Sequence, residues 1–210
     1  MSSTLKQIAE AMLDGLTKKT KELTEKAVAE GIPAKIILND GLLAGMQEVG
    51  ILFKDGELFV PEVLIAAKAM NMGMEVLAPL LSSGDVNQRG VALLATVQGD
   101  LHDVGVKLVG MMLKGNGYEI INLGIDIPTE TIVAAVKEHR PKILGMSAML
   151  TTTMVATRDV IAALKAEGLY DDLVVMVGGA PVTEQFAKSV GALYASDAST
   201  AVDVANAALE

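Results

Sequence analysis

One short stretch carries the residues best suited to do chemistry. His102, one of two histidines in the chain, follows Asp100 by two positions, and Gly99 and Gly105 flank the pair. In an extended turn, residues i and i+2 point the same way, so the Asp100 carboxylate can reach one imidazole nitrogen. The second nitrogen is then left as an acceptor for a metal or a proton. The two glycines leave room for a bulky group beside the turn.

The residues on either side predict a strand-to-helix turn. Residues 91–97 are apolar and partly β-branched, as in a buried strand, and residues 104–114 have helical periodicity. Such turns lie at the carboxyl edge of a parallel sheet, where open α/β folds bind their ligands. Two other interpretations stay open at this point. His102 can be a capping or solvated residue, and Asp100, His102 and Asp103 can form a zinc site.

Composition bounds the class of protein. The 210 residues are 51% hydrophobic but only 3% aromatic, so the core must be built from aliphatic side chains and methionine. Cysteine is absent, which excludes disulfides, thiolate zinc sites and catalytic thiols. The net charge of −9 argues against nucleic acid as a partner. Without a signal-like N-terminus or an apolar run of membrane-span length, the sequence predicts a cytoplasmic protein with no membrane partner.

Residues 1–81 are predicted to form a bundle of four or five helices. Apolar residues recur at helical spacing, and a Gly-Ile-Pro segment at 31–33 separates the second helix from the third. Glycines at 41, 45 and 50 should let the third helix, 34–53, pack closely or break near residue 41. The polar stretch 82–90 is interpreted as a linker to a second domain, 91–210.

The second domain alternates between strand and helix. Strands are predicted at 91–97, 119–123, 143–147, 174–177 and 193–195, and helices at 104–114, 129–138, 152–167, 182–190 and 198–209. This alternation is typical of right-handed βαβ units and a five-stranded parallel sheet, which is a Rossmann-like, flavodoxin-like α/β fold. The sequence contains neither a Gly-x-Gly-x-x-Gly fingerprint after the first strand nor a Walker-type phosphate loop, so nucleotide binding through these motifs is unsupported.

Two further strand ends should lie at the same sheet edge as His102. The third strand runs into Ser147 and Met149, and the fourth runs into Gly178 and Gly179. A serine at a strand end is often only a helix cap, and a glycine pair is often only a turn. The convergence of all three turns on one edge favours a shared ligand site.

The spacing of these residues resembles that of the cobalamin-binding domain family. The family pattern is Asp-x-His-x-x-Gly, followed at similar distances by Ser-x-Leu and then Gly-Gly. Here Asp100, His102 and Gly105 match the first part and Ser147 the second, and residues 178–179 match the third. Methionine at 149 replaces the leucine, which is a volume-conserving change. Residues 60–70 also resemble the helical module that precedes this domain in methionine synthase and in small corrinoid proteins.

The resemblance implies a cobalamin or related corrinoid cofactor, with His102 as the lower axial ligand of cobalt and Asp100 on its other ring nitrogen. It implies that Ser147 bonds to the Asp100–His102 chain or to the nucleotide tail of the cofactor, and that the glycine pair lines the tail slot. Valine at either glycine would then block binding in a domain that still folds. The implied cofactor-binding set is Asp100, His102, Asp103, Gly105, Ser147, Met149, Gly178 and Gly179.

The resemblance also implies a methyl carrier that is not catalytic alone and works as the corrinoid subunit of a multi-component methyltransferase. One partner would be a substrate:corrinoid methyltransferase, with methylamine, methanol, betaine or a methoxylated aromatic as donor. A second methyltransferase would pass the methyl group to tetrahydrofolate or coenzyme M. The helical module would shield the cofactor and move to admit each partner. Two alternatives stay open: the cobalamin-binding subunit of a radical mutase, and a cobalamin-dependent regulator.

Overall fold

The computed structural model describes residues 3–81 and 89–209. The chain divides into two compact units. One contains the residues up to Arg89 together with Lys114–Tyr118, and the other contains Gly90–Leu113 together with Glu119–Glu210. Most of the predicted linker, residues 82–88, lies outside the described residues, and Gly90 already belongs to the first strand.

The first unit is helical. Its helices are α1 Ser3–Leu13, α2 Thr17–Ala29, α3 Ala34–Ile37, α4 Ala44–Lys54 and α5 Val60–Leu77. A π-helical segment, Leu38–Leu43, joins α3 to α4, and the 3-10 turn Ala78–Leu80 follows α5. Aliphatic side chains and methionines from these helices form the core of the unit, including Ile8, Met12, Leu42, Met46, Val63 and Leu77.

Glycines allow the helices of this unit to approach closely. A Cβ atom at Gly45 would lie 3.0 Å from Cα of Ala9, and one at Gly73 would lie 2.6 Å from the side chain of Leu42. Gly41 lies within the π-helical segment. The predicted close packing and the predicted irregularity near residue 41 are therefore both present, because each depends on a position without a side chain.

Two helical stretches of this unit are long and apolar enough to cross a membrane, judged by length and composition only. They are Ala34–Lys54 and Val60–Leu80, with 21 residues each. The expectation that no apolar run approaches the length of a span is therefore wrong on these criteria. In the most apolar window of each stretch, 44% of Ala34–Lys54 and 39% of Val60–Leu80 is buried inside the protein. Core helices of soluble proteins meet the same criteria of length and composition.

The second unit contains a parallel sheet covered by helices. Its strands are β1 Gly90–Thr96, β2 Tyr118–Asn122, β3 Ile143–Ser147, β4 Val174–Gly178 and β5 Leu193–Tyr194. Its helices are α6 Val104–Lys114, α7 Thr129–His139, α8 Met154–Ala166, α9 Glu184–Val190 and α10 Ala198–Leu209. Within the described residues, the five strands are ordered β2-β1-β3-β4-β5, which confirms the predicted flavodoxin-like fold.

The central strands are apolar along their whole length because helices cover the sheet. Leu93, Leu144 and Val175 lie in one core cluster with residues from α7 and α8, including Ile132 and Ile161. In β1, residues 92–96 are fully buried. This continuous burial explains why the strands are seen in the sequence as apolar runs rather than as alternating patterns.

Two helices begin later than predicted, in each case because a threonine side chain bonds to the backbone. α8 begins at Met154 rather than at residue 152, because the Thr153 hydroxyl oxygen accepts the N–H of Leu150. α9 begins at Glu184 rather than at residue 182, because the Thr183 hydroxyl accepts the N–H of Phe186 and caps the helix.

The strand register brings the three predicted turns to one edge of the sheet. Thr96 is paired with Ser147, and Ser147 is paired with Gly178, so β1, β3 and β4 end in one row. In a sheet of this order, the point between β1 and β3 is the topological switch point, where ligands bind. The predicted convergence of the turns is confirmed.

Candidate functional site

The loop between β1 and α6 is held in part by hydrogen bonds within its own segment of the chain. The N–H of Asp100 donates to the carbonyl of Val97 at 3.1 Å. The Thr96 hydroxyl donates to the carbonyl of His102 at 2.9 Å. These bonds tie both ends of the loop to the strand, so its side chains have defined positions before any ligand arrives.

Asp100 and His102 make the contact that their spacing predicts. Nδ1 of His102 lies 2.7 Å from Oδ1 of Asp100, and the same oxygen accepts the backbone N–H of His102 at 3.1 Å. The Asp100 side chain is fully buried, whereas the His102 side chain is 55% exposed. The pair thus consists of a buried carboxylate and an exposed imidazole ring.

Asp100 accepts hydrogen bonds on both carboxylate oxygens. In addition to the His102 bonds, Oδ2 accepts the Met149 N–H at 2.6 Å and the Thr153 hydroxyl at 2.8 Å. Burial acts to raise the pKa of the Asp100 carboxyl, but the bonds from Met149, His102 and Thr153 outweigh it and lower the pKa to about 2. Asp100 is therefore an anion at neutral pH.

The contact with Asp100 decides which nitrogen of His102 is available. An ionised carboxylate can only accept a hydrogen bond, so the proton of the neutral imidazole is assigned to Nδ1. Nε2 then carries the lone pair on an exposed ring. A histidine held in this way can bind a transition metal through Nε2, and the carboxylate fixes its tautomer and the orientation of its ring.

The role of Thr153 was not predicted, and of the two roles expected for Ser147 only the bond to the cofactor tail stays a prediction. Ser147 was expected to bond into the Asp100–His102 chain or to the cofactor tail, but in the described residues Thr153, not Ser147, bonds to Asp100. Ser147 is half-buried at the end of β3. The available signal was the run of threonines at 151–153, which follows the serine on the same loop.

Met149, on the turn after β3, makes hydrogen bonds to both of the other turns. Its backbone N–H donates to Asp100, and its sulfur accepts the N–H of Ala180 at 3.4 Å. Leucine, the residue more usual in the resembling pattern, has no acceptor for this second bond. Methionine at this position therefore joins the β3–α8 loop to the turn that follows Gly178 and Gly179.

The glycine pair has a structural reason that the sequence did not reveal. A Cβ atom at Gly179 would lie 2.0 Å from the carbonyl oxygen of Ala148, and φ of Gly179 is +125°. A Cβ atom at Gly178 would lie 2.6 Å from the carbonyl oxygen of Ala195. The expectation that valine at either position leaves the fold intact is therefore wrong, because the added atoms would meet backbone.

The carboxylate of Asp103 pairs with a lysine rather than with His102. Its carboxylate forms an ion pair with Lys107 one turn along α6, and the hydrogen bond from Lys107 lowers the pKa of the Asp103 carboxyl. Among the described residues, no group of three or more histidine, aspartate or glutamate side chains could hold a metal ion. The zinc interpretation of Asp100, His102 and Asp103 therefore has no structural support.

Apolar side chains near His102 are unusually exposed. Leu101 and Val104, on either side of the histidine, are 68% and 66% exposed, and Leu150 on the neighbouring loop is 44% exposed. Beyond its chain neighbours and its own helix, no described atom lies within 4 Å of the position of a Cβ atom at Gly105. The imidazole is thus flanked by apolar surface and free space, which suits a large, partly apolar ligand.

The fold and the site define a ligand-binding α/β domain with an oriented imidazole at its switch point, a donor suited to the metal of a large cofactor. Comparison with known families is more specific. Residues 90–204 match the B12 binding domain, and residues 4–78 match a second family model that is also described as a B12 binding domain. The chain belongs to the B12-binding family, and its cofactor is a cobalamin or a related corrinoid.

Relatives resemble the chain along nearly all of its length. It is 43% identical over 199 residues to dimethylamine corrinoid protein 3 of Methanosarcina acetivorans, covering 94% of this chain and 93% of the relative. The fold matches the methanol:cobalamin methyltransferase complex of Methanosarcina barkeri with a TM-score of 0.90 and 29% identity, covering 99% of this chain and 80% of that one. A cobalamin-binding protein of Desulfitobacterium hafniense matches with a TM-score of 0.81 and 35% identity, covering 97% of each chain.

Proposed function

We propose that the chain is the methyl-carrying corrinoid protein of a methyltransferase system and that Nε2 of His102 is the axial ligand of cobalt. The observation that carries this proposal is the half-exposed imidazole whose Nδ1 is bound, at 2.7 Å, to the fully buried carboxylate of Asp100. In a chain of the B12-binding family, that ring is oriented to present one nitrogen to a metal.

Asp100 would control the strength of the proposed axial bond. Its low pKa keeps Asp100 ionised at neutral pH, so it holds the proton of His102 on Nδ1. Thr153 and the Met149 N–H support that anion from the other side. Changes that favour the ionised form of Asp100 would strengthen the bond from His102 to cobalt, and changes that favour its protonated form would weaken that bond.

The remaining residues of the proposed cofactor site would act mainly by shape. Gly105 leaves free space, and Leu101 and Val104 offer apolar surface to a macrocycle. The Ser147 hydroxyl would bind a polar part of the cofactor. The pair Gly178 and Gly179 would contribute backbone alone, and Asp103 and Met149 complete the proposed set of residues near the cofactor.

A bound corrinoid supplies a cobalt centre that can carry a methyl group between two enzymes. The proposed partners are a substrate:corrinoid methyltransferase and a methyltransferase that serves tetrahydrofolate or coenzyme M. We favour methylamines as the donor class, because several relatives near 40% identity are dimethylamine or trimethylamine corrinoid proteins, whereas the methanol system matches at 29%. The same names favour a methyl carrier over a mutase subunit or a regulator.

The proposed domain organisation is a helical module at 1–81, a linker at 82–90 and a cobalamin-binding domain at 91–210. The match of residues 4–78 to its own B12 binding model supports a role of the helical module in handling the cofactor. We propose that this role is to protect the cofactor, and that the protein works in the cytoplasm.

Electron paramagnetic resonance of the protein reconstituted with cobalamin tests the ligand. With ¹⁵N-labelled histidine, the nitrogen splitting of the cobalt(II) signal should change, because the two nitrogen isotopes have different nuclear spins. His102→Ala should remove this isotope-sensitive splitting. His139→Ala, at the exposed end of α7, is the matched control and should retain it. An isotope-sensitive signal that survives in His102→Ala would refute the assignment.

Methyl transfer tests the donor class. The reconstituted protein would be supplied with purified dimethylamine, trimethylamine or methanol:corrinoid methyltransferase and the matching isotopically labelled substrate. We expect labelled methyl to accumulate on this protein with a methylamine system. Transfer with the methanol system alone would contradict the proposed donor.

A further inference from the structure

The loop between β2 and α7 contains a residue with unusual backbone geometry. Asp126 has φ of +54°, a left-handed conformation that residues other than glycine seldom adopt. It is one of two such residues in the described ranges, and the other, Arg140, lies at the end of α7. Strained backbone of this kind persists where surrounding bonds hold it in place, and it is often found beside functional sites.

Asp126 makes two bonds to the loop that carries the Asp100–His102 pair. Its Oδ1 accepts the N–H of Gly99 at 2.7 Å, and its own N–H donates to the carbonyl of Asp100 at 3.0 Å. The bonds bracket the peptide unit between Gly99 and Asp100. In its left-handed conformation, Asp126 bonds to the same neighbouring loop through both its side chain and its N–H.

The Asp126 bonds come from the loop after β2, whereas the bonds of Met149 and Thr153 to Asp100 come from the loop after β3. The bonds from Thr96 to His102 and from Asp100 to Val97 join the loop to its own strand. Asp126 instead fastens it to the loop that follows β2. Gly99 has φ of +83°, so the two bonds of Asp126 hold the chain on both sides of a conformation that glycine adopts without strain.

We infer that Asp126 is a positioning residue for the proposed axial histidine. By fixing the Gly99–Asp100 peptide, it sets the direction in which the Asp100 carboxylate leaves the backbone, and through that carboxylate the orientation of the His102 ring. This inference rests on the proposed function, in which His102 binds cobalt. Asp126 itself is placed in contact with the loop and not with the cofactor.

Three variants separate the acceptor from the backbone conformation. Asp126→Gly tolerates the left-handed backbone but lacks the acceptor. Asp126→Asn keeps an acceptor oxygen, and asparagine tolerates this conformation. Arg140→Gly is the matched control, because it relieves the other left-handed residue without touching the β1–α6 loop.

The first measurement is hydrogen exchange of the Gly99 amide in the protein without cofactor. Asp126→Gly should speed this exchange about tenfold, the factor that corresponds to roughly 1.4 kcal/mol for the lost hydrogen bond. The second is the fraction of cobalt(II) that shows ¹⁵N-histidine splitting, which should fall in the same variant. Asp126→Asn should restore both values, and Arg140→Gly should leave both at those of the unaltered protein.

The possible results are distinguishable. If Asp126→Gly retains Gly99 protection and the full histidine-bound fraction, or if Asp126→Asn fails to restore them, the inference is wrong. If the unaltered protein lacks histidine splitting, the proposed ligand fails instead, and the exchange measurement still reports whether Asp126 holds the loop. Thermal unfolding of each variant identifies any general loss of fold, which would lower protection along the whole chain rather than at Gly99.

Discussion

The Thr153 hydroxyl donates a 2.8 Å hydrogen bond to the carboxylate of Asp100, across 53 positions of sequence. The bond joins the loop after β3 to the loop after β1 and completes a chain from Thr153 through Asp100 to His102. It reaches the oxygen of Asp100 that His102 does not use. Under the proposed function, the strength of His102 as a ligand of cobalt would depend on a residue of a different loop.

Replacing Thr153 with valine should weaken this chain while keeping the shape of the side chain. Thr153 is 5% exposed and its hydroxyl also bonds to Leu150, so the loss should lower the free energy of unfolding by about 1–3 kcal/mol. It should also raise the pKa of Asp100 and reduce the histidine-bound fraction of cobalt. Urea unfolding and paramagnetic resonance measure these effects.

Two variants control for the loss of the hydroxyl. Thr153→Ser keeps the donor and should stay close to the unaltered protein in the histidine-bound fraction. Thr157→Val removes a buried hydroxyl that bonds to the Met154 carbonyl within α8, and it should reduce stability without altering the cobalt signal. Equal cobalt signals in Thr153→Val and the unaltered protein would show that the hydrogen bond from Thr153 to Asp100 does not affect His102.

The stability contributed by Asp100 should depend on pH in the acid range. Its pKa falls from the ordinary 3.8 to about 2 on folding, so folding favours the ionised form. The resulting stabilisation is fully present above the ordinary value and is lost as the pH falls through about 2. Asp100→Asn lacks this titration, so the difference in unfolding free energy between the two proteins should shrink between pH 4 and pH 2.

Chemical unfolding at a series of pH values checks this window. Both proteins carry the same other carboxyl groups, so general acid destabilisation cancels in the difference. A difference that stays constant from neutral pH to pH 2 would mean that the hydrogen bonds to Asp100 do not favour its ionised form.

Replacing Gly179 with alanine should destabilise the domain rather than only block the cofactor. The added Cβ would lie 2.0 Å from the Ala148 carbonyl oxygen, and the positive φ adds strain, so the loss should be at least about 2 kcal/mol. Gly124→Ala is the control, because Gly124 also has a positive φ, +98°, but no described atom beyond its chain neighbours lies within 4 Å of the added position. Gly179→Ala should melt at a much lower temperature than Gly124→Ala. Equal losses of stability in the two variants would contradict the steric explanation.

Replacing Gly105 with alanine should separate folding from cofactor binding. The position lies in the first turn of α6 beside free space, and alanine is the better helix former by up to about 1 kcal/mol. The protein without cofactor should therefore melt at the same or a higher temperature. Corrinoid affinity should fall, because the methyl group would occupy space proposed for the macrocycle. Unchanged affinity in a calorimetric titration would place the macrocycle away from Gly105.

Local patterns predicted the regular elements well. The bounds of β3, α6 and α10 agree with the sequence prediction, because apolar runs and helical periodicity depend on neighbours in the chain. The late starts of α8 and α9 were not predicted, because each depends on a threonine hydroxyl that accepts a hydrogen bond from a backbone N–H. The π-helical segment 38–43 was expected only as an irregularity.

The candidate site was predicted in part. The contact between Asp100 and His102 followed from their spacing, which alone places a carboxylate beside an imidazole. The parts played by Thr153 and Asp126 did not follow, because both act on the β1–α6 loop from loops distant in sequence. The steric need for Gly178 and Gly179 was not predicted, since it comes from backbone carbonyls that occupy the space beside them, and their role in the tail slot stays a prediction.

The sequence by itself determined the order of helices and strands, the flavodoxin-like class and the presence of a carboxylate–imidazole pair at a strand end. Each of these depends on periodicity or on spacings of a few residues. Only the tertiary structure decided which oxygen of Asp100 meets which donor, that Asp103 pairs with Lys107, and that Asp126 braces the loop. These choices depend on the strand register, which brings Thr96, Ser147 and Gly178 into one row and so sets which loops can touch.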